Sequence, residues 1–266
     1  MAISPANELF EVAVCTHPGA VREVNEDHVG THIDGECACL VVADGVSSFE
    51  GGETASKLAV QVTLEAFQGE SRTLQPAKRL YRAAQQANIA IYDLASTVPE
   101  LRNMATTLTA VALIRDELFA VHIGDCRLYL FRAGRLTQLS KDHTVSGERV
   151  RLGLLSERRA RSHPGRSTLT RSLGRELIAR ADQFSRRIAE HDQLLLCSDG
   201  IHGLLDDDEL AQFFPSTSAE LCSALVAAAN ERGAPDNVTA AAARVTATPP
   251  SRSGRLRGLL RGIAAR

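Results

Sequence analysis

Apolar positions along the chain follow two different spacings. Short apolar runs bounded by turn residues predict strands, and apolar residues at intervals of three and four predict helices. The predicted helices span 53–67, 76–95, 206–214 and 216–232. The predicted strands span 9–16, 37–43, 106–114, 118–123, 127–131, 136–139, 183–188, 193–197 and 238–245. The order is therefore strands, two helices, strands, two helices and a final strand.

The connections between these elements indicate the fold class. Very short links join the four consecutive strands between 106 and 139, and such links favour antiparallel meanders. Helices that are segregated from antiparallel strands are typical of α+β layers rather than of a doubly wound parallel sheet. The chain contains neither a GxGxxG nor a GxxxxGK[ST] motif, which disfavours dinucleotide and nucleoside triphosphate binding.

Composition is that of an ordinary globular protein. The 266 residues are 44% apolar and 23% charged, and the net charge of −2 gives no signal for nucleic acid. No segment approaches the roughly 18 apolar residues of a transmembrane helix, and the N-terminus lacks a secretory signal pattern. The six cysteines match neither a disulfide scaffold nor a zinc site. We therefore expect reduced cysteines and a cytoplasmic protein.

Aspartates recur where apolar strands end. Asp44, Asp125 and Asp199 each follow an apolar run and lie beside a glycine, and Asp236 precedes the last strand. A carboxylate at the end of a buried strand is unfavourable unless something compensates its charge. One such aspartate is typical of a turn, but four in the same context favour a shared site. Carboxylates without His or Cys select hard cations, Mg²⁺ or Mn²⁺, and Arg22 offers a planar fork for phosphate.

Eight motifs follow one another along the chain. They are Gly19-x-x-Arg22-x-x-Asn25-Glu26-Asp27; Val42-Ala43-Asp44-Gly45 with Gly51-Gly52-Glu53; Met104-Ala105-Thr106-Thr107; His122-Ile123-Gly124-Asp125-Cys126-Arg127; Asp142-His143-Thr144; His163-Pro164 with Leu173-Gly174-Arg175; Leu195-Leu196-Cys197-Ser198-Asp199-Gly200; and Asp236-Asn237-Val238-Thr239. In this order they resemble the metal-dependent protein phosphatases of the type 2C (PPM) family, in its compact bacterial form. The resemblance covers roughly residues 9–246.

The resemblance implies an α+β fold, a four-layer α-β-β-α sandwich of two antiparallel sheets flanked by helix pairs. It implies a catalytic domain over 1–246, with a flap at about 144–180, followed by a linker and basic tail at 247–266. It also implies hydrolysis of phosphoserine and phosphothreonine in proteins through a metal-bridging hydroxide. Such a reaction reverses Ser/Thr kinase signalling.

The resemblance further implies a set of metal ligands. Asp44 would bridge two ions, Mn²⁺ or Mg²⁺, with the Gly45 carbonyl as a further ligand. Asp199 and Asp236 would complete the ligands of one ion, and Glu26 those of the other.

Other residues would have supporting parts. Asp125, together with Asp199, would hold a third, weaker metal ion. Arg22 would bind the substrate phosphate, so that Arg22, Asp44 and Asp199 form the catalytic set. Asn237 would support the site, and Asp27 would act on the metals indirectly, through a water.

One loop departs from the family pattern. Many bacterial relatives have Gly-Met-Gly-Gly-His after the bridging aspartate, whereas this chain has Gly45-Val46-Ser47-Ser48-Phe49. The histidine proposed as general acid in some relatives is therefore absent. The leaving alkoxide could take its proton from metal-bound water or from another group such as His143, for which orienting a loop is the alternative role.

Two segments are strongly basic. The flap contains nine arginines against three glutamates, which indicates either a solvated helical surface or a basic rim that attracts acidic or phosphorylated segments. The tail contributes five further arginines and no acid, so the remaining body is more acidic than the net charge suggests. Apolar residues at helical spacing over 255–263 would suit a short helix that docks on an acidic partner or an anionic membrane, and a disordered tail is the alternative.

We expect the partners to be phosphorylated proteins, a Ser/Thr kinase and its substrates, with no nucleic acid and a monomeric state. Membrane contact by the tail is the less favoured alternative. Two alternatives stay open. The same cleft could serve a non-catalytic regulator that binds phosphoproteins. Within the family, the chain could also be a narrow phosphatase for an anti-sigma-antagonist type of protein.

Overall fold

The computed structural model describes residues 2–3, 7–46 and 51–247. In this part of the chain, strands β1 to β11 span Ala2–Ile3, Phe10–His17, Asp27–Asp34, Cys37–Asp44, Leu108–Ile114, Glu117–Ile123, Arg127–Arg132, Arg135–Gln138, Asp182–Arg187, Gln193–Cys197 and Val238–Val245. Helices α1 to α7 span Gly52–Gly69, Pro76–Thr97, Val145–Arg151, Glu157–Ala160, Asp199–His202, Asp207–Ala211 and Ser218–Glu231. The predicted amphipathic segment of the tail lies outside the described residues.

The strands form two antiparallel sheets that pack face to face. The six-stranded sheet has the order β1-β2-β11-β10-β7-β8, and the five-stranded sheet has the order β3-β4-β5-β6-β9. One hydrophobic cluster fills the space between the sheets. A second lies between the five-stranded sheet and helices α1 and α2, and a third lies between the six-stranded sheet and α7. The expected α-β-β-α sandwich is therefore confirmed.

Both faces of the central strands are buried, which explains their unbroken apolar runs. In β4, Leu40 and Val42 point toward the other sheet, whereas Cys39 and Val41 point toward α1 and α2. Strand β11 alternates in the same way between the intersheet core and α7. Two cores on opposite sides of one strand require apolar residues at every position.

The four consecutive strands predicted to form antiparallel meanders are divided between the two sheets. Strands β5 and β6 pair within the five-stranded sheet, whereas β7 and β8 pair within the six-stranded sheet. The chain passes from one sheet to the other at Gly124, which has a φ of +103°. A Cβ there would lie 2.5 Å from the Thr107 side chain, so the turn requires glycine. A short link can therefore join strands across the edge of the sandwich, and Asp125 lies on that link.

The helical layers are less symmetric than expected. Helices α1 and α2 form a long pair, but the six-stranded sheet is covered mainly by α7, with the one-turn helices α5 and α6 beside it. The helix predicted at 206–214 extends only over Asp207–Ala211, where Asp206 and Glu209 form a capping box.

The cysteines and the helix lengths complete the description of the fold. All six cysteines are free. Among the described helices, none combines the length and apolar character needed to cross a membrane.

Candidate active site

Carboxylates from both sheets gather at one end of the sandwich. Asp44 is the last residue of β4, and Asp27, the first residue of β3, is its partner across the ladder. Asp199 begins α5 directly after β10, and Asp236 lies just before β11. Asp125 lies on the link between the sheets. The strand ends therefore bring together all five aspartates that the sequence singled out.

These carboxylates form one electrostatically coupled cluster. Burial, and then repulsion from Asp27, Asp199, Asp125 and Asp236, raises the pKa of Asp44 well above its usual range. Burial and repulsion from Asp199 do the same to the pKa of Asp125. The pKa of Asp199 rises to about 6, chiefly through burial and then through repulsion from Asp236. The cluster is therefore short of positive charge.

Glu26 joins the cluster through close backbone packing. The Gly45 N–H donates to the Glu26 carbonyl at 3.1 Å. A Cβ at Gly52 would lie 2.5 Å from Glu26 Oε1, and a Cβ at Gly45 would lie 2.4 Å from the Gly52 carbonyl oxygen. These two glycines let the start of α1 approach the strand ends. Burial raises the pKa of Glu26, against the lowering effect of Arg22.

Asn237 ties three segments of the site together. Its Oδ1 accepts the Glu26 N–H at 2.8 Å. Its Nδ2 donates to the carbonyls of Pro18 and Val24, each at 2.9 Å. The side chain thus fixes the 18–26 loop against the start of β11, an arrangement that suits the supporting role predicted for it.

Asp27 lies beneath the cluster. Ser198 Oγ donates to Asp27 Oδ2 at 2.6 Å and accepts the Thr239 N–H at 3.1 Å. Asp27 Oδ1 is buried and has no hydrogen-bond partner among the described residues. Burial, opposed in part by the Ser198 hydroxyl, raises the pKa of Asp27 to about 7. Ser198 is a supporting residue that the sequence analysis did not single out, although it directly precedes Asp199 in its motif.

Positive charge reaches the cluster from three arginines, of which Arg127 lowers the pKa of both Asp125 and Asp199. Arg22 Nη2 lies 3.2 Å from Asp236 Oδ2, and both side chains are 40% exposed. Arg166, from the flap, lowers the pKa of Asp199 more than Arg22 does. The sequence analysis counted Arg166 only among the basic residues of the flap. Its position two residues after His163-Pro164, a matched motif, was the available signal.

His143 lies at the start of the flap, just before α3. Its side chain is almost fully buried. Nδ1 accepts the Gly124 N–H at 3.1 Å, and Nε2 lies 3.2 Å from Asp182 Oδ2. Both ring nitrogens are thus engaged, and the geometry favours the orienting role over the role of general acid. Residues 47–50, in the loop whose sequence differs from the family pattern, lie outside the described residues.

The carboxylate oxygens of the cluster suit a hard cation, although they are not arranged around one. Within the ranges that the structure describes, no three His, Cys, Asp or Glu side chains are arranged to hold a metal ion. Carboxylate oxygens that repel one another are nonetheless the ligands that Mg²⁺ and Mn²⁺ prefer. Asp44 and Asp199 keep part of their surface exposed, so the cluster is open to ions from solvent.

Comparison with known proteins gives one consistent result. Residues 19–235 match the family model described as Protein phosphatase 2C. The serine/threonine phosphatase stp of Listeria monocytogenes is 32% identical over 231 residues, which are 84% of this chain and 91% of that protein. The crystal structure of the Mycobacterium tuberculosis serine/threonine phosphatase PstP/Ppp has a TM-score of 0.81 at 34% identity, covering 90% of this chain and 99% of that one.

A further solved structure bears on the metal. It is the catalytic domain of the serine/threonine protein phosphatase PstP in complex with two manganese ions, and it has a TM-score of 0.78 at 32% identity. It covers 90% of this chain and 99% of that chain. The fold, the gathered carboxylates and these relatives agree. The chain belongs to the protein phosphatase 2C family and is a metal-dependent serine/threonine protein phosphatase.

Proposed function

We propose that the carboxylate cluster holds two divalent cations, Mn²⁺ or Mg²⁺, for the hydrolysis of phosphoserine and phosphothreonine in proteins. Asp44 would be shared between the ions. Asp199 and Asp236 would complete one ligand set, and Glu26 with the Gly45 carbonyl the other. The observation that carries the proposal is the coupling of carboxylates from both sheets in one site whose charge is not compensated.

The chemistry of these residues fits such ions. Asp27 Oδ1 is an acceptor without a partner in the described structure, and a water on a nearby cation could donate to it. Because the pKa values of Asp44, Asp125 and Asp199 are raised, each carboxylate holds a proton more tightly than an exposed aspartate does. A divalent cation can take the place of those protons. We place the third, weaker ion at Asp125 with Asp199.

When bound, the ions lower the pKa of a coordinated water and offset the charge of the phosphate. The chain itself supplies position and orientation. Thr106 Oγ1 donates to the Asp44 carbonyl at 2.8 Å, and the Asp44 N–H donates to Thr107 Oγ1 at 2.9 Å. These bonds fix the backbone from which the Asp44 carboxylate projects.

Arg22 is the residue we assign to the substrate phosphate. Its ion pair with Asp236 is exposed, and exposed pairs contribute little free energy. The guanidinium can therefore exchange its carboxylate partner for a phosphate at low cost. Its planar fork matches two phosphate oxygens.

The proposed setting is a cytoplasmic, monomeric enzyme that removes phosphate groups added by a Ser/Thr kinase. Six free cysteines support a reducing compartment. In the flap, Arg149, Arg158 and Arg159 add positive charge that would attract a phosphoprotein. The role of the 247–266 tail stays a prediction.

The experiment compares Asp44→Asn with Asp34→Asn, on a phosphothreonine peptide and on p-nitrophenyl phosphate, with added Mn²⁺ or with chelator. Asp34 pairs with Cys37 at the opposite end of the β3–β4 ladder, so it is a matched control. We expect the wild type and Asp34→Asn to be active only with metal, and Asp44→Asn to be inactive. Full metal-dependent activity of Asp44→Asn would refute the assigned role, and wild-type turnover in chelator would refute the metal mechanism.

A further inference from the structure

One carboxylate, outside the metal cluster, joins both ends of the flap. The flap starts directly after His143, and its chain comes back to this point at residues 169–171, where Thr144 and Leu169 form an isolated bridge. His143 Nε2 lies 3.2 Å from Asp182 Oδ2, and Arg171 Nη1 donates to Asp182 Oδ1 at 2.9 Å. Asp182 is the first residue of β9, in the five-stranded sheet. We call these three side chains the neck cluster.

The two ring nitrogens of His143 have different partners. A backbone N–H can only donate, so Nδ1 accepts the proton of Gly124. Nε2 lies 3.2 Å from Asp182 Oδ2 and also 3.2 Å from Arg171 Nη1, so the ring contacts both charged members of the neck cluster. The opposite carboxylate oxygen receives the Arg171 guanidinium.

Backbone hydrogen bonds next to the neck cluster connect the same segments. The Thr170 N–H donates to the His143 carbonyl, and the His143 N–H donates to the Gly124 carbonyl, each at 2.8 Å. Arg171 also reaches Glu148 of α3, at 3.3 Å. Asp182 is therefore placed to fix the start of the flap, its end and its first helix relative to the five-stranded sheet.

A second ion pair between the flap and the body is more exposed. Arg161, beside α4, lies 3.0 Å from Asp207 of α6, and both side chains are more than 40% exposed. Such a pair is screened by solvent and contributes little. The Asp182 side chain is 43% exposed, but its partners are better shielded, since the His143 side chain is 3% exposed and that of Arg171 is 27% exposed. The neck cluster is therefore the better shielded attachment on the side of the flap.

We propose that Asp182 is a positioning residue that acts through His143 and Arg171 to set the pose of the flap over the active site. The proposal rests on the proposed function, because the position of the flap is detected by its effect on the hydrolysis of phosphoproteins. A phosphorylated peptide is long enough to contact the flap, whereas p-nitrophenyl phosphate is not. Loss of the neck cluster should therefore affect the peptide far more than the small substrate.

The first test compares Asp182→Asn with Asp116→Asn. Asp116 pairs with Arg187 at the other end of β9, so the control also removes an aspartate–arginine pair from this sheet edge. For Asp182→Asn we expect kcat/KM on a phosphothreonine peptide, relative to that on p-nitrophenyl phosphate, to fall about tenfold, as for one charge-assisted hydrogen bond. For the control we expect no change in the ratio. The same ratio in both variants would overturn the proposal.

A second test measures the flap directly and does not depend on catalysis. The amides of Val145, Ser146 and Thr170 donate across the neck. Hydrogen–deuterium exchange at these amides should speed up in Asp182→Asn, while exchange in β10 and β11 stays as in the wild type. Unchanged exchange at the neck would contradict the proposal. A wild type without metal-dependent turnover would instead count against the proposed function and leave this measurement valid.

Arg171→Gln provides a second route if Asp182→Asn folds poorly. It removes the other charge of the neck cluster and keeps Asp182. The effects of substitutions within one cluster are not additive. In the double variant of Asp182→Asn with Arg171→Gln, the ratio of kcat/KM on the peptide to that on p-nitrophenyl phosphate should therefore fall little further than in either single variant. Losses that add in full would show two independent roles and overturn the positioning role.

Discussion

The carboxylate cluster should make the metal-free enzyme less stable than a variant that lacks one of its charges. Asp199→Asn keeps the size of the side chain and removes a negative charge, which burial and repulsion from Asp236 make unfavourable. We expect this variant, in the presence of chelator at neutral pH, to unfold at a higher urea concentration than the wild type. Active sites often hold such unfavourable arrangements, because function needs them.

The magnitude follows from the pKa. Folding raises the pKa of Asp199 from the ordinary 3.8 to about 6. A group whose pKa is raised by folding stabilises the protein below its unfolded pKa, and that contribution is lost as pH rises through the folded value. For Asp199 the loss amounts to up to about 3 kcal/mol near pH 7. The advantage of Asp199→Asn should therefore be small near pH 4 and grow as the pH rises.

The assay is urea unfolding with chelator, for both proteins, between about pH 4 and about pH 7. Only the difference between them is informative. Burial lowers the pKa of His122 to about 4 and that of His202 to about 3. The contribution of these two histidines to stability increases as pH rises, whereas that of Asp199 decreases. The histidines contribute equally to both proteins, so they cancel in the difference. Added Mn²⁺ should reverse the ranking, because the wild type binds the ion more tightly.

Asp192→Asn is the matched control. Asp192 lies just before β10, whereas Asp199 lies just after it, and Asp192 is buried with Arg132 Nε at 2.8 Å and the Ala189 N–H at 2.7 Å. Its charge is compensated, so Asp192→Asn should destabilise the protein, by about 1–3 kcal/mol. If Asp199→Asn is also destabilising under chelation, or if its difference from the wild type does not depend on pH, the reasoning about the cluster is wrong.

Three further predictions follow from the site. Asn237→Ala leaves the Glu26 N–H and two carbonyls without their partner. In urea unfolding it should lower the free energy of unfolding by about 2–4 kcal/mol, and in a metal titration it should weaken activation by Mn²⁺. Arg22→Ala should raise KM for a phosphopeptide about 10- to 100-fold with a smaller change in kcat, and an unchanged KM would contradict its role on phosphate. Reversing Arg158 and Arg159 to Glu should lower kcat/KM for acidic phosphopeptides but not for p-nitrophenyl phosphate, and equal activity on all of them would support a solvated surface.

Central strands were predictable because their environment is uniform. Strands β10 and β11 have the predicted bounds, 193–197 and 238–245, since apolar residues face a core on each side. Asp44, Asp125 and Asp199 were predictable for the related reason that each ends an apolar run beside a glycine. Local sequence therefore shows where a buried strand stops and a charge begins.

Strand β3 was not predicted, because its pattern is weak. Asp27–Asp34 includes His28, Gly30 and His32, and most of its residues are only partly buried at the sheet edge. Gly30 gives room to α1, since a Cβ there would lie 2.7 Å from the side chains of Leu64 and Val60. The pairing with β4 and the packing of α1 create this strand, and neither is visible in local spacing.

Long-range contacts also decide the remaining differences. Similarly short links join β5 to β6 within one sheet and β6 to β7 across two sheets, so link length alone does not show the crossing at Gly124. Arg166 reaches Asp199 only because the flap folds back on itself. The neck cluster, likewise, joins residues 143, 171 and 182 from both ends of the flap.

The central claim is that the clustered carboxylates bind the ions on which hydrolysis depends. Equilibrium dialysis with Mn²⁺, followed by activity on a phosphothreonine peptide at each metal concentration, tests it directly. The account predicts that two ions bind to the wild type in the range where activity appears, and that Asp44→Asn loses both binding and turnover. Activity that is complete before any Mn²⁺ binds, or undiminished binding by Asp44→Asn, would contradict it.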